Sequence, residues 1–219
     1  RFRTASMLFE AEGWLAREEE GDEGTAAWVM GRRYSGASTR PLARRQVRSL
    51  FRATYRRGFP PLTPYTYTDD SGWGCMLRSA QSLMANACIR HYLGDGWRRP
   101  DNPKDIRAST LYCDILRWFC DYPNYPCVYS IHHMAQCGLA YDKLPGEWYG
   151  PGTVALVMRD LARCHRRNYG GRLDVYVARS GAVYAEELHA VCAEKDVAAR
   201  EACGCGQGDA DADADADAD

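Results

Sequence analysis

Ser71-Gly72-Trp73-Gly74-Cys75-Met76-Leu77-Arg78-Ser79-Ala80 is the stretch on which the reading of this chain turns. Two glycines flank an aromatic and hand over to a cysteine, and a helical pattern starts at that cysteine. Ala80, Leu83, Met84, Ala87 and Cys88 recur at spacings of three and four, with Arg78, Ser79, Ser82, Asn86 and Arg90 between them. A helix buried along the first set is therefore expected. Cys75 then lies in the first turn, where unpaired N–H groups and the positive end of the helix dipole favour an anion such as a thiolate. Gly72 and Gly74 allow a sharp bend and a close approach of the backbone to a ligand. The pattern suits a nucleophilic cysteine presented to a substrate. It also suits a small buried thiol, the commoner fate of a free cysteine.

The rest of the composition narrows the setting. A chain of 219 residues with 46% apolar content is long enough for one sizeable domain. No apolar run nears the roughly 20 residues of a membrane span. Six aspartates in the terminal Asp-Ala repeat, Asp209 to Asp219, hide a basic excess, because without them 28 basic residues face 23 acidic ones. The arginine pairs Arg32-Arg33, Arg44-Arg45, Arg56-Arg57, Arg98-Arg99 and Arg166-Arg167 read as solvated helix faces. No nucleic-acid motif accompanies them, so no nucleic-acid partner is expected. Ten cysteines in a chain of this size, with no signal peptide in view, point to reduced thiols and a cytoplasmic location. Cys113, Cys120, Cys127 and Cys137, with His132 and His133 nearby, lack the paired spacing of structural zinc sites. Neither a metal nor another cofactor is expected.

Taken in order, residues 1–24 are acidic and glycine-bearing and read as a flexible arm. Trp28-Val29-Met30-Gly31-Arg32-Arg33-Tyr34 reads as a strand. Val47, Leu50, Phe51 and Tyr55 share one face of a helix that Gly58 and Pro60-Pro61 stop. Beyond the Cys75 helix, Leu111, Ile115, Leu116 and Phe119 mark another, and Tyr122 to Pro126 breaks it. Ser130 caps a short helix that Gly138 closes, and Thr153 caps one whose face is Val154, Val157, Met158, Leu161 and Ala162. Arg172 to Arg179 reads as a strand and Ala185 to Ala193 as a final helix. The run 203–219 reads as a disordered low-complexity tail.

Five separated motifs carry a resemblance: Trp28 to Tyr34, Thr54-Tyr55-Arg56-Arg57-Gly58-Phe59-Pro60, Thr68 to Arg78 around Gly-Trp-Gly-Cys, Tyr129-Ser130-Ile131-His132-His133-Met134-Ala135-Gln136, and Trp148-Tyr149-Gly150-Pro151-Gly152-Thr153-Val154-Ala155. Their order and approximate spacing resemble those of the autophagins, papain-like cysteine proteases that process the ubiquitin-like modifier of autophagy. The resemblance implies an α+β, papain-like fold, with residues 25–202 as part of the catalytic domain. It implies that Cys75 is the nucleophile, that the Tyr55 hydroxyl helps hold the oxyanion, and that Trp148 gates a cleft beside Trp73 and Gly74. The implied reaction is acyl transfer by a thiolate through an acyl-enzyme. The bond cut follows the modifier's C-terminal glycine, and the same chemistry releases the modifier from phosphatidylethanolamine. The modifier, in precursor and lipid-conjugated forms, is the implied partner of a monomer that meets autophagic membranes only through that substrate. From its own pattern, Tyr55 also suits an ordinary core position.

The family's histidine and aspartate come as an Asp-Pro-His segment well downstream of the cysteine, and no Asp-Pro-His occurs here. None of His91, His132, His133, His165 and His189 is nominated as the base. The helical half of a papain-like domain is thus expected, with the sheet-rich half that carries histidine and aspartate missing. On that reading the chain is an incomplete portion of a protease and nearly inactive by itself. Two alternatives stand beside it. One is a non-catalytic paralogue that binds the modifier, and the other is a thiol sensor using Cys75 and Cys88, which flank one helix.

Overall fold

A computed structural model describes residues 26–178 and 180–202, with only the helical backbone over 194–202. The expected acidic arm and Asp-Ala tail lie outside the described residues. The first structured element is a hairpin, β1 (Ala26–Val29) paired antiparallel with β2 (Arg32–Ser35), with Val29 opposite Arg32. Met30 and Gly31 take φ of 51° and 79°. Positive φ at both central residues is the signature of a two-residue turn whose twist matches the strands. The stretch expected as one strand therefore reverses at its middle.

Helix α1 (Arg40–Ser49) follows, with Pro41 in its first turn, where a missing N–H costs nothing. It ends well before Tyr55, which corrects the longer helix expected through Leu50 and Phe51. Leu50 is extended at ψ 132°. The backbone beyond it bonds to side chains instead of to its own earlier carbonyls. Asn86 Oδ1 accepts from Phe51 N–H at 3.0 Å, Asn86 Nδ2 donates to Phe51 O at 2.8 Å, and Ser82 Oγ accepts from Ala53 N–H at 2.9 Å. Tyr55 thus sits on an extended segment, not on a helix face.

Asn86 and Ser82 belong to α2 (Cys75–Leu93), the expected helix. Its buried side, however, is Leu77, Arg78, Gln81, Met84, Ala85, Cys88 and Ile89. Leu83 is 76% exposed, Ala87 is also exposed and Ala80 is half-buried. The apolar count misplaced the face because two long polar side chains, Arg78 and Gln81, turn inward, where carboxylate and carbonyl partners take most of their polar atoms. Cys75 and Cys88 also fail as a redox pair. Thirteen positions of helix separate them by about 20 Å, well beyond disulfide reach, and burial pushes the Cys88 thiol up to about 12.

Asn102 Oδ1 caps α3 (Pro103–Ala108) by accepting from Lys104 N–H at 2.9 Å, and α4 (Thr110–Trp118) follows directly. Ser130 does cap α5 (Ile131–Gly138), accepting from His133 N–H at 3.2 Å. Helix α6 (Pro151–Tyr169) begins one turn earlier than expected, with Gly150 at the cap position and Pro151 at the first helical one, so Thr153 lies inside it. Val154, Val157, Met158, Leu161 and Ala162 are all buried, as their spacing requires. Over 172–178 no strand forms among the described residues. Arg172 N–H donates to the Tyr92 hydroxyl at 2.7 Å, and Val175 N–H donates to Asp174 Oδ1 at 2.9 Å. Without a neighbouring strand the backbone takes side-chain partners.

The described residues divide into two compact units, one reaching to Val175 and one starting at Tyr176. In the first, α2, α4, α5 and α6 surround one core in which Leu77, Ile115, Phe119, Tyr129, Met134 and Val157 are essentially inaccessible. Each such side chain contributes about 2 kcal/mol by leaving water. Phe119 stacks on Tyr129 with ring centroids 5.0 Å apart. The second unit holds α7 (Ala185–Ala202), which starts where expected and extends further, and a Tyr176 hydroxyl bond to Glu187 at 2.6 Å.

Candidate active site

The turn that delivers Cys75 is held from inside. Asp69 Oδ1 accepts from Ser71 N–H at 2.6 Å, and the Trp73 indole N–H donates to Asp69 O at 3.0 Å. The backbone carbonyl of Asp70 accepts from Trp73 N–H at 3.3 Å and from Gly74 N–H at 2.8 Å. Gly72 takes φ 89°, which an L side chain resists. A Cβ on Gly74 would run into the Asp70 side chain, 2.7 Å from its Cβ. Glycine is thus required at both positions, for different reasons. Trp73, expected beside the cleft, is buried at 5% exposure and lies against Tyr67, ring centroids 5.9 Å apart. It is a support for the turn. Gly74 is buried as well, while Cys75 opens onto the surface as the first residue of α2.

Beneath this turn lies an ionic cluster that the sequence reading missed. The Asp70 side chain, fully buried, accepts from Arg78 Nε at 2.7 Å and from Arg56 N–H at 2.6 Å. Arg78 Nη1 donates to Asp121 Oδ1 at 2.8 Å and to Gln81 Oε1 at 2.9 Å. Arg56 Nη1 reaches the other oxygen of Asp121 at 2.8 Å. Burial by itself would raise the Asp121 carboxyl, but Arg78 and Arg56 hold it below the usual carboxylate range. Burial likewise opposes the charge on Arg78, and Asp121 and Asp70 outweigh it. The cluster ties the first turn of α2 to the 50–57 segment and to the loop after α4. One signal was available: Arg78 and Gln81 interrupt a face shared with Leu77, Met84 and Ala85, and an interior arginine demands carboxylates.

Tyr55 stands on the segment so tied, 38% exposed. Its hydroxyl is held above its ordinary value by partial burial, then by the charge and hydrogen bond of Cys75, then by Asp70. The structure therefore brings Tyr55 and Cys75 together, although they come from different elements and twenty positions apart. At neutral pH the phenol stays protonated and can donate a hydrogen bond beside the thiol.

Trp148 sits 73% exposed on the loop between α5 and α6, with its indole N–H donating to Gly72 O. Its neighbours fix that loop. Tyr149 is buried against Gly138, where a Cβ would meet the Tyr149 ring at 2.7 Å, and a Cβ on Gly146 would meet the Tyr67 ring at 2.6 Å. A large aromatic is thereby held over the turn that carries Cys75, without being part of the core.

The four histidines of the first unit are engaged elsewhere. His132 Nε2 pairs with Pro60 O at 2.7 Å, and His133 Nδ1 with Cys127 O at 2.9 Å. His165 Nδ1 pairs with the Tyr129 hydroxyl at 3.1 Å, and His91 packs edge-on against Tyr92. No imidazole of the first unit is bonded to Cys75, and among the described residues no group of histidine, cysteine and carboxylate side chains could hold a metal ion. The arrangement offers a surface thiol at a helix N-terminus, a neutral phenol beside it and a rigid base below. It suits attack on a carbonyl carbon whose oxygen is then held by donors.

Comparison with known proteins agrees with this geometry. The chain matches the peptidase C54 catalytic domain over residues 41–214. It is 35% identical to cysteine protease ATG4A of Mus musculus over 190 residues, covering 85% of this chain and 45% of that protein. It is 34% identical to the Xenopus laevis ATG4A over 182 residues, covering 82% and 43%. It is 36% identical to cysteine protease ATG4B of Gallus gallus over 165 residues, covering 75% and 40%. The chain therefore spans less than half the length of these curated relatives. A family match over most of its own residues, with the Gly-Trp-Gly-Cys turn inside the matched region, places the chain in the peptidase C54 family of papain-like cysteine proteases, the autophagins.

Proposed function

We propose that Cys75 is the nucleophile of a cysteine-type endopeptidase acting in autophagy, whose substrate is a ubiquitin-like modifier. The bond cut follows the modifier's C-terminal glycine, in the precursor or in the conjugate with phosphatidylethanolamine. One observation carries this reading: an exposed thiol on the first residue of α2, beside the Tyr55 hydroxyl, above a turn locked by Asp70. The thiolate adds to the glycine carbonyl carbon, and the carbonyl electron pair moves to oxygen. Tyr55 donates to that oxyanion, and the unpaired N–H groups of the first turn of α2 add to it. An imidazole protonates the leaving amine, and water then hydrolyses the thioester. Trp148 covers the approach to the thiol and admits the narrow C-terminal tail of the substrate.

In this reading an Asp-Pro-His segment supplies the imidazole and its orienting carboxylate, because the histidines of the first unit have other partners. That same observation favours a second reading, a binder of the modifier that does not cleave it. The test uses a modifier carrying a C-terminal tag, incubated with this chain and with a longer form bearing an Asp-Pro-His segment. Cleavage by the longer form, abolished by Cys75→Ser, is the expected result. Cleavage that survives Cys75→Ser removes the assignment. Tight binding of the modifier with no cleavage by any longer form selects the second reading.

A further inference from the structure

Away from the Cys75 turn, α1 and the loop before α3 enclose a cleft of about 250 Å³ lined by Pro41, Arg44, Arg45, Arg48, Ser49, Arg99 and Asp101. Four of these are arginines and one is an acid. Between Arg40 and Ser49 the helix carries no acid at all. The walls are fixed: Ser49 is buried, its hydroxyl donates to Arg45 O at 2.7 Å, and it accepts from Arg99 N–H at 3.1 Å. Arg45, Arg48 and Arg99 are exposed, and no ion pair engages their side chains among the described residues. The neighbouring Asp95 does not neutralise them, because Arg32 and Arg90 already hold it at 2.6 and 2.9 Å. Like charges gathered in a rigid cleft repel each other, and an anion placed among them relieves that repulsion.

We infer that this cleft is a docking site for the phosphate-bearing headgroups of an anionic membrane surface. The apolar side chains at the start of α1 decide between a membrane and a dissolved phosphate. Leu42, 59% exposed, and Pro41 project beside the arginines, whereas Ala43 and Val47 face inward onto Tyr34 and Val29. An exposed leucine beside a basic cleft is of no use to a free phosphate. It can enter the boundary between headgroups and acyl chains while the guanidinium groups take phosphate oxygens bidentately. The chain would then touch the membrane itself, not only through a lipid-linked substrate as expected from the sequence. The inference does not rest on the protease reading.

The test is co-sedimentation of the full chain with vesicles of phosphatidylcholine alone or mixed with phosphatidylserine. The expected result is binding to the mixed vesicles alone, weakened by salt. The variant Arg45→Gln/Arg48→Gln/Arg99→Gln loses about fivefold per arginine, or about a hundredfold together. Leu42→Ser loses severalfold while keeping the charge. All four positions are exposed, so unchanged circular dichroism and melting verify that the variants are folded. Equal binding to neutral vesicles, or full binding by the triple variant, overturns the inference. So does release by inorganic phosphate beyond that produced by sodium chloride of equal ionic strength, which would mark a site for free phosphate. Preferential release by a single-stranded oligonucleotide would mark a nucleic-acid surface and overturn it as well.

Discussion

Replacing Arg78 by methionine deprives two buried carboxylates of a cation at once. Asp70 is fully buried and Asp121 is 7% exposed, and Arg78 reaches them at 2.7 and 2.8 Å. Asp121 keeps Arg56 at 2.8 Å, whereas Asp70 keeps only the backbone N–H of Arg56. Removing one partner of a buried pair typically costs about 3–5 kcal/mol. With the arginine shared between two carboxylates, we expect about 4 kcal/mol at neutral pH, a large part of the roughly 5–15 kcal/mol that holds a domain of this kind folded. The pH dependence distinguishes this cause from simple loss of packing. In the native protein the Asp121 carboxyl titrates below the unfolded value of about 3.9. Its contribution is therefore present above that value and is lost as the pH falls through the folded one. In the variant, a carboxylate buried without any cation binds a proton more readily than in the unfolded chain, which reverses the slope. The deficit should narrow as the pH falls from about 7 toward about 4. Urea unfolding followed by far-ultraviolet circular dichroism at several pH values measures it. A cost below about 1 kcal/mol, or one that is flat with pH, refutes the reasoning.

Three other outcomes follow from the same framework. Asn86→Ala leaves the Phe51 N–H and C=O without partners and should cost about 2 kcal/mol, with faster amide exchange over 51–55; unchanged exchange would show that α2 does not hold that segment. Burial lowers the affinity of His165 and His132 for a proton, so their folded values lie below the unfolded one of about 6.5. Stability is then fully present above about pH 6.5 and falls as the pH drops through the folded values, a dependence that His165→Phe should reduce in a thermal melt series. Trp148→Ala, at an exposed position, should change stability by less than about 0.5 kcal/mol yet speed alkylation of Cys75 by a small neutral reagent. An unaltered alkylation rate would mean that the indole does not cover the thiol.

Much of the helical framework was legible because local rules decide it. Ser130 and Gly138 bounded α5, and Val154 to Ala162 gave the buried face of α6 by spacing alone. The misreadings over 50–55 and along α2 share one cause, which is that distant partners override local preference. Leu50 to Tyr55 has a helical rhythm, but Asn86 and Ser82 supply its backbone with better partners. Helix α2 looked apolar on the side of Leu83 because an arginine by itself counts as a surface residue, and only the convergence of Asp70 and Asp121 draws Arg78 inward. At the site, the place of Cys75 at the start of a helix and of Trp148 on a loop could be read from glycine-rich context. The proximity of Tyr55 and Cys75 could not, because it depends on how an extended segment and a helix are tied across twenty positions. Trp73 was placed in the cleft by its neighbours in sequence, whereas its ring turns inward against Tyr67.

The central claim is that Cys75, alone among the eight cysteines of the described residues, is built to receive a modifier's C-terminal carbonyl. The most direct measurement gives the protein a ubiquitin-like modifier whose terminal glycine bears a thiol-reactive group, then maps the adduct by mass spectrometry. An untargeted alkylating reagent serves as the reference for general accessibility. The account predicts that the untargeted reagent also reaches the exposed Cys164 and Cys192. The modifier probe should mark Cys75 and lose all labelling in Cys75→Ser. A modifier probe that distributes over Cys164 and Cys192 as the untargeted reagent does, or that still labels Cys75→Ser to the same extent, would contradict it.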